Sequence, residues 1–310
     1  MTTRHFLTLE DLSTSELSKI LDSADELKAQ RASGPRAGQR DDLTGMAIGM
    51  LFEKPSTRTR ISFEIAIAEL GARPVVLDAA QLQLGRGELI EDTAKIFSSY
   101  LHGLVVRTFA QSRLESLADA GRIPVVNALS DFDHPCQALA DLQTIREYKS
   151  TLAGLRLAYL GDGNNVAHSL LMAGAMAGMH VSVATPPGYA PIEQVVRTAS
   201  ALAAASGGSV TVTTEPNAAA AGADVLYTDV WASMGQEDEH AARVLMFQPF
   251  QVNSALLQLA RPDAIVMHCL PAHRGEEITA DVLDGQQSVV WAQAENRLHT
   301  QKALLLHLLG

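Results

Sequence analysis

Phe52-Glu53-Lys54-Pro55-Ser56-Thr57-Arg58-Thr59-Arg60 is the stretch that decides how the rest of this chain reads. Ahead of it, Ala47 to Phe52 is an apolar run of strand length. Behind it, Phe63, Ala66, Ile67 and Leu70 recur at helical spacing until Gly71. The stretch is therefore a strand-to-helix turn. A helix that opens there points its unpaired N–H groups and positive dipole end into the turn, where Ser56, Thr57, Arg58 and Thr59 add hydroxyl and guanidinium donors. A plain N-cap with a solvated first turn would also explain the hydroxyls. It would not explain the cations, because Arg58 and Arg60 oppose the helix dipole at about 0.3 to 1 kcal/mol each. A bound phosphate removes that mismatch. No Gly-Lys pair occurs in the chain, so the turn is not a Walker loop.

A length of 310 residues suggests about two domains. A hydrophobic content of 47% with 19% charge fits a compact, soluble protein. A net charge of -11 argues against nucleic acid as a partner, so clustered arginines stand out against an acidic background. No apolar run is long enough to span a bilayer, the start lacks a signal core, and the only cysteines are Cys136 and Cys269. These features predict a cytoplasmic protein with reduced thiols and no membrane contact.

In chain order, Ser13 and Glu16 have capping-box spacing ahead of an N-terminal helix, and residues 33–42 read as a loop. Pro74 to Asp78 reads as a strand, Ala79 to Glu88 as a surface connection, and Glu91-Asp92 as the opening of a helix. Gly103 to Arg107 is a strand whose final arginine reaches the crevice where open α/β sheets bind ligands. A strand from Ile123 to Val126 delivers Asp133-His134-Pro135-Cys136-Gln137 to the start of a long helix. His134 and Gln137 are three apart and would share a helical face, within reach of one ligand. A second α/β series starts near Leu155, with strands at 155–160, 180–184, 209–213, 223–230, 264–270 and 288–292, and a closing helix runs from Leu298 to Leu309. The alternation predicts an α/β protein of two doubly wound parallel-sheet domains joined by long interdomain helices.

Gly161-Asp162-Gly163-Asn164-Asn165 imitates a dinucleotide fingerprint, but Val166 replaces the third glycine. The paired asparagines suit a zwitterion instead, since an amide both accepts and donates. Asp229 ends an apolar strand just before Trp231-Ala232-Ser233-Met234-Gly235. His268-Cys269-Leu270-Pro271 lies at another strand end, and Glu295-Asn296-Arg297 opens toward the last helix. Neither cysteine–histidine pair has zinc-ligand spacing, so no metal is expected. Cys269 lacks an oxyanion motif for nucleophilic work and could instead serve as counter-charge to an amine.

With these motifs in place, the chain resembles the ornithine carbamoyltransferases. Ser56-Thr57-Arg58-Thr59-Arg60 and His134-Pro135-Cys136-Gln137 resemble carbamoyltransferases generally, while Asp229 with Ser233-Met234-Gly235 and His268-Cys269-Leu270-Pro271 resemble the ornithine branch. The resemblance runs from about Phe6 to the last helix. It implies a carbamoyl phosphate domain over 1–150, joined by the C-terminal helix 295–310, and an ornithine domain over 151–294. It also implies a homotrimer and no metal or organic cofactor. Carbamoyl phosphate would meet Ser56, Thr57, Arg58, Thr59, Gln83 of a neighbouring subunit, Arg107, His134, Pro135, Cys136, Gln137, Cys269, Leu270 and Arg297. Ornithine would meet Asn165, Asp229, Ser233 and Met234, and the groups at the reacting atoms would be Cys269, Arg107, His134 and Asp229. Other acceptors in such a family are aspartate, putrescine and acylated ornithine. Asp229 beside a thiol suits an amine better than a second carboxylate. A nucleotide-binding regulatory module and a carbamoyltransferase relic without chemistry are the non-enzymatic alternatives.

Overall fold

A computed structural model describes residues 3–34, 36–78, 82, 87–232 and 239–310. The chain divides into two compact units, one of residues 1–143 with 295–310 and the other of residues 144–294.

In the first unit, α1 (Thr14–Ala32) starts at the predicted capping box, with Ser13 accepting from the Glu16 N–H and Glu16 reaching back to Ser13. Strands β1 (Ala47–Phe52), β2 (Arg73–Asp78), β3 (Gly103–Arg107) and β4 (Val125–Leu129) form a parallel sheet in the order β2-β1-β3-β4. Helices α2 (Thr57–Glu69), α3 (Ile90–Tyr100) and α4 (Gln111–Ala120) make the crossovers. Pro74 lies in an edge strand, where its missing N–H disturbs no second neighbour. The free side of β4 is covered by Phe6, whose N–H and C=O pair with Val125 and Asn127. Strand order reverses between β1 and β3, whose last residues Phe52 and Arg107 lie side by side. That switch point is where an open α/β sheet leaves a crevice at its carboxyl edge.

The second unit repeats the plan. Strands β5 (Arg156–Leu160), β6 (His180–Ala184), β7 (Ser209–Thr213), β8 (Val225–Thr228) and β9 (Ile265–His268) lie parallel in the order β7-β6-β5-β8-β9. Their crossovers include α6 (Asn165–Met176), α7 (Glu193–Ser206), α8 (Pro216–Ala220), α9 (His240–Phe247) and α10 (Ser254–Leu257), and α11 (Ala280–Leu283) follows β9. Here the order reverses between β5 and β8, which end on the paired residues Leu160 and Thr228.

Two long helices, α5 (Pro135–Lys149) and α12 (Val290–Leu309), each contribute residues to both units. The predicted strand over 288–292 is not one. Ser288 makes an isolated bridge to Val266, and α12 begins at Val290, eight residues ahead of the predicted start at Leu298. Its apolar run is the start of a helix, with Val290 buried and Trp291 exposed, an ambiguity that short apolar runs carry by nature.

Within the first unit α12 is tied down by charge. The fully buried Lys302 ammonium donates to Glu69 Oε2 at 2.8 Å and to the Gly38 carbonyl at 2.9 Å, while Arg31 Nε holds Glu69 Oε1 at 2.9 Å. Burial pushes the Glu69 carboxyl up, but the hydrogen bonds from Lys302 and Arg31 outweigh it and leave its pKa below the ordinary value. Removing one partner of a buried pair strands the other charge. Lys302→Met is therefore expected to lose about 3 to 5 kcal/mol of stability in urea unfolding, while Lys302→Met with Glu69→Leu recovers most of it.

Candidate active site

Around the first switch point, α2 begins as the sequence predicts. Ser56 is its N-cap, in extended conformation, with its hydroxyl accepting from the Thr59 N–H. The turn before it is braced by the Glu53 N–H on the Arg107 carbonyl at 2.8 Å, and by the Glu53 carboxylate on the Thr108 hydroxyl and on Arg113 at 2.6 Å. Lys54 is buried, paired with Asp131 and set 4.2 Å from the centroid of the Phe109 ring. Lys54 and Asp131 were not singled out from sequence; a lysine inside a predicted turn gives no sign that its head is buried.

Arg107 ends β3 and is almost wholly buried. His134 stands just ahead of α5 rather than on it, its carbonyl accepting from the Gln137 and Ala138 N–H groups. The expected shared helical face is thus a shared helix entrance. Gln137 is buried, its Nε2 donating to Asp141 at 2.8 Å and its Oε1 without a hydrogen-bond partner among the described residues. Arg58 Nε is likewise buried without one. Arg297 comes from α12, and its Nη2 donates to Thr59 Oγ1 at 2.7 Å. Burial, followed by the charges of Arg297, Arg107 and Arg58, holds the His134 imidazole well below its usual pKa. A neutral ring among guanidiniums offers N–H and lone pair but no charge, and the cations converge on one small volume.

Cys136 behaves differently. Its thiol points into the core, donates to the Asn127 carbonyl at 3.3 Å, and is pushed by burial up to about 12. No thiolate is available there. Gln83, Ser233 and Met234 lie outside the described residues.

At the second switch point, the turn after β5 carries Asn164 as the N-cap of α6. Its Oδ1 accepts from the Val166 N–H at 2.9 Å and the Ala167 N–H at 3.2 Å. Its Nδ2 donates to Asp229 Oδ2 at 3.0 Å, and Cys269 Sγ donates to Asp229 Oδ1 at 2.9 Å. Asp229 is buried and Cys269 partly exposed. The Tyr159 hydroxyl, 3.4 Å from Asn164 Oδ1, is held well above its ordinary pKa by burial and then by Asp229. Asn165 opens α6 beside this group. The cap role of Asn164 was missed, though an asparagine ahead of an apolar run is its usual signal, and its grip on Asp229 spans 65 residues and left no local signal.

Gly163 owes its identity to packing rather than to a dinucleotide. A Cβ there would meet Pro191 N at 2.3 Å and Tyr189 O at 2.5 Å. Ligand atoms of Asp229, His268 and Cys269 lie close together, as do those of His273, Glu276 and Glu277. In the first group both His268 nitrogens are already engaged, Nδ1 by the Leu270 N–H and Nε2 by Glu277, so the ring has no lone pair for a metal.

Two doubly wound units, one gathering cations at its switch point and the other setting a carboxylate beside a thiol, are the scaffold of a group-transfer enzyme. Residues 4–147 match the family described as the aspartate/ornithine carbamoyltransferase carbamoyl-P binding domain, and residues 153–308 match its Asp/Orn binding domain. The chain belongs to the aspartate/ornithine carbamoyltransferase family. It is 61% identical over 309 residues to the ornithine carbamoyltransferase of Parafrankia sp., covering 100% of this chain and 97% of that one. It is 60% identical to that of Acidothermus cellulolyticus, over 99% and 96%. Among solved structures, the ornithine carbamoyltransferase of Pyrococcus furiosus superposes with a TM-score of 0.96 at 51% identity, over 100% of this chain and 98% of that one.

The depressed pKa of His134 has a sign that can be tested. The unfolded histidine takes up a proton near pH 6.5, the folded one only lower, so the fold loses stability as pH drops below about 6.5. The His134 ring resonance is expected to keep its neutral position as pH is lowered through 6.5, and to titrate at higher pH once inorganic phosphate is added.

Proposed function

We propose that this chain is an ornithine carbamoyltransferase, moving the carbamoyl group of carbamoyl phosphate to the side-chain amine of L-ornithine to give L-citrulline and phosphate. The observation that carries the reading is the neutral His134 among Arg58, Arg107 and Arg297 at the amino end of α2, an environment made for a dianion. Full-length relatives that bear that enzyme name support it. So does Asp229 with its thiol partner, a pairing suited to an amine.

In this reading Ser56, Thr57, Arg58, Thr59 and Arg107 hold the phosphate, with Arg297 fixing Thr59. His134, Pro135, Cys136 and Gln137 address the carbamoyl group at the entrance of α5, Cys136 through its backbone because its thiol is turned into the core. Cys269 and Leu270 serve the carbamoyl group and the incoming amine. Asn165, Asp229, Ser233 and Met234 hold ornithine. The amine attacks in its unprotonated form, oriented by Asp229 and Cys269, and its lone pair forms the new C–N bond. The carbonyl oxygen gains charge that the neutral His134 N–H and Arg107 stabilise. The C–O bond to phosphate then breaks, the electron pair leaves with phosphate among the arginines, and one amine proton is released. A transfer between a mixed anhydride and an amine is complete without metal or organic cofactor. Holding both reactants can supply roughly 7 kcal/mol or more of the barrier.

The reading includes a homotrimer in which Gln83 reaches the neighbouring subunit's carbamoyl phosphate. Ile61 and Ile65 on α2, Val76 on β2, and Ile96 and Tyr100 on α3 are exposed apolar residues of the first unit that fit a subunit face. It also includes a cytosolic setting, where Cys269 stays reduced, and a place in arginine biosynthesis. Among the described residues no helix is long and apolar enough to cross a membrane.

Purified protein given carbamoyl phosphate is expected to convert ornithine to citrulline far faster than it carbamoylates putrescine or N-acetylornithine; equal rates with either reject the acceptor assignment. Arg58→Ala is expected to lose a hundredfold or more, on the order seen when one preorganised donor is removed, with an unchanged urea midpoint. Normal turnover in that variant would reduce the turn to a helix cap.

A further inference from the structure

The turn after β9 carries Cys269 and Leu270, and its shape is not one that its own backbone favours. Leu270 has φ of +59°, in the left-handed region that a branched, non-glycine residue enters only when its surroundings hold it there. The Leu270 N–H donates to His268 Nδ1 at 2.9 Å, which fixes the ring proton on Nε2, and in that tautomer the imidazole is uncharged. Nε2 in turn donates to Glu277 Oε1 at 3.0 Å. The same Oε1 accepts the His273 N–H at 2.5 Å, so one carboxylate oxygen fastens the turn at both of its ends.

Glu277 is itself immobilised. Its side chain is fully buried, its carbonyl accepts from the Val252 N–H at 2.8 Å, and its neighbour Ile278 belongs to the core with Val252. The other end of His268 is anchored too: its backbone N–H donates to Gln293 Oε1 at 2.9 Å, and Gln293 Nε2 donates to the Tyr227 hydroxyl at 3.0 Å. His268 therefore cannot shift without breaking buried hydrogen bonds on either side. Between these fixed residues sits Cys269, whose thiol donates to Asp229.

We propose that Glu277, acting through the His268 ring and the His273 backbone, is a positioning residue that holds the Cys269–Leu270 turn in its strained shape and so aims the thiol at Asp229. The role is one of geometry, not charge. Oε1 makes both bonds, while Oε2 has no hydrogen-bond partner among the described residues and lies 3.9 Å from His273 Nδ1. A glutamine can keep both bonds through its amide oxygen and breaks none by placing its amide nitrogen where Oε2 stands. An aspartate keeps the charge but is a methylene shorter and cannot reach both donors. The catalytic part of this inference rests on the proposed carbamoyl transfer; the conformational part does not.

The experiment compares Glu277→Gln with Glu277→Asp in the full chain, with two readouts. One is the rate at which a small alkylating reagent labels Cys269, the thiol of Cys136 being buried and unreactive. The other is citrulline formation, with kcat and the KM values for ornithine and carbamoyl phosphate measured separately. Glu277→Gln is expected to match wild type within a few fold in both. Glu277→Asp is expected to change Cys269 labelling several-fold, to lower kcat about tenfold to a hundredfold and to raise the KM values for ornithine and carbamoyl phosphate, both of which meet this turn in the proposed reading. Urea midpoints accompany both variants, so that a loss of stability without a change in labelling or in the kcat and KM split marks a merely structural role and overturns the proposal. Equal behaviour of the two variants, or aspartate outperforming glutamine, overturns it as well. If wild type forms no citrulline, the proposed function fails, and the labelling order alone decides the conformational claim.

Discussion

Positive charge that cannot be given up is the constraint on which the first unit depends. Guanidiniums stay protonated at any pH the protein meets, so where Arg58, Arg107 and Arg297 converge, the one group able to shed a proton does so, and His134 is neutral. In a chain of net charge -11 this concentration is local and deliberate. Its self-repulsion weakens the fold, and under the proposed function a bound dianion would relieve it, linking binding and stability through the same residues. The three arginines come from the start of α2, the end of β3 and the middle of α12. The charge cluster therefore exists only once segments far apart in sequence have packed together.

The fastening of α12 follows from that requirement. Arg297 is useful only if its helix is held in register, and two contacts do this at opposite ends of α2. Arg297 itself bonds Thr59 in the first turn of α2, and Lys302 bonds Glu69 in its last. A buried ion pair of this kind is weak as a source of net stability but strict about geometry, because any slip strands a charge in the core. Apolar packing around Leu304 and Leu305 supplies adhesion without that selectivity.

Much of this was legible in the sequence, and the exceptions are instructive. Capping residues announced α1 and α2 because a cap acts on N–H groups two or three residues away, whereas the Asn164 cap of α6 was read only as a ligand group. Strand ends announced Arg107, Asp229 and Cys269, since an α/β sheet always delivers its carboxyl edge to the crevice. The apolar run at 288–292 misled because so short a run does not distinguish a strand from the start of a helix. What stayed hidden were the pairings that make a residue functional by way of another: Arg297 on Thr59 across 238 residues, Asn164 on Asp229, and Glu277 on His268. Residue type marks a potential partner, but only folding chooses among them.

The two switch points share a topology yet present opposite chemistry, and the difference lies in how each following helix is capped. At α2 the Ser56 hydroxyl takes the Thr59 N–H, and by the geometry of a helix start the Thr57 and Arg58 N–H groups point onward into the turn. At α6 the Asn164 amide oxygen takes both the Val166 and Ala167 N–H groups, and its nitrogen donates to the Asp229 carboxylate. The donors that would attract an anion at α6 are thus satisfied internally, and a carboxylate already occupies the favourable end of the helix dipole. The two switch points thus differ through a single asparagine, which doubles as cap and carboxylate clamp and leaves the second with a carboxylate where the first has cations.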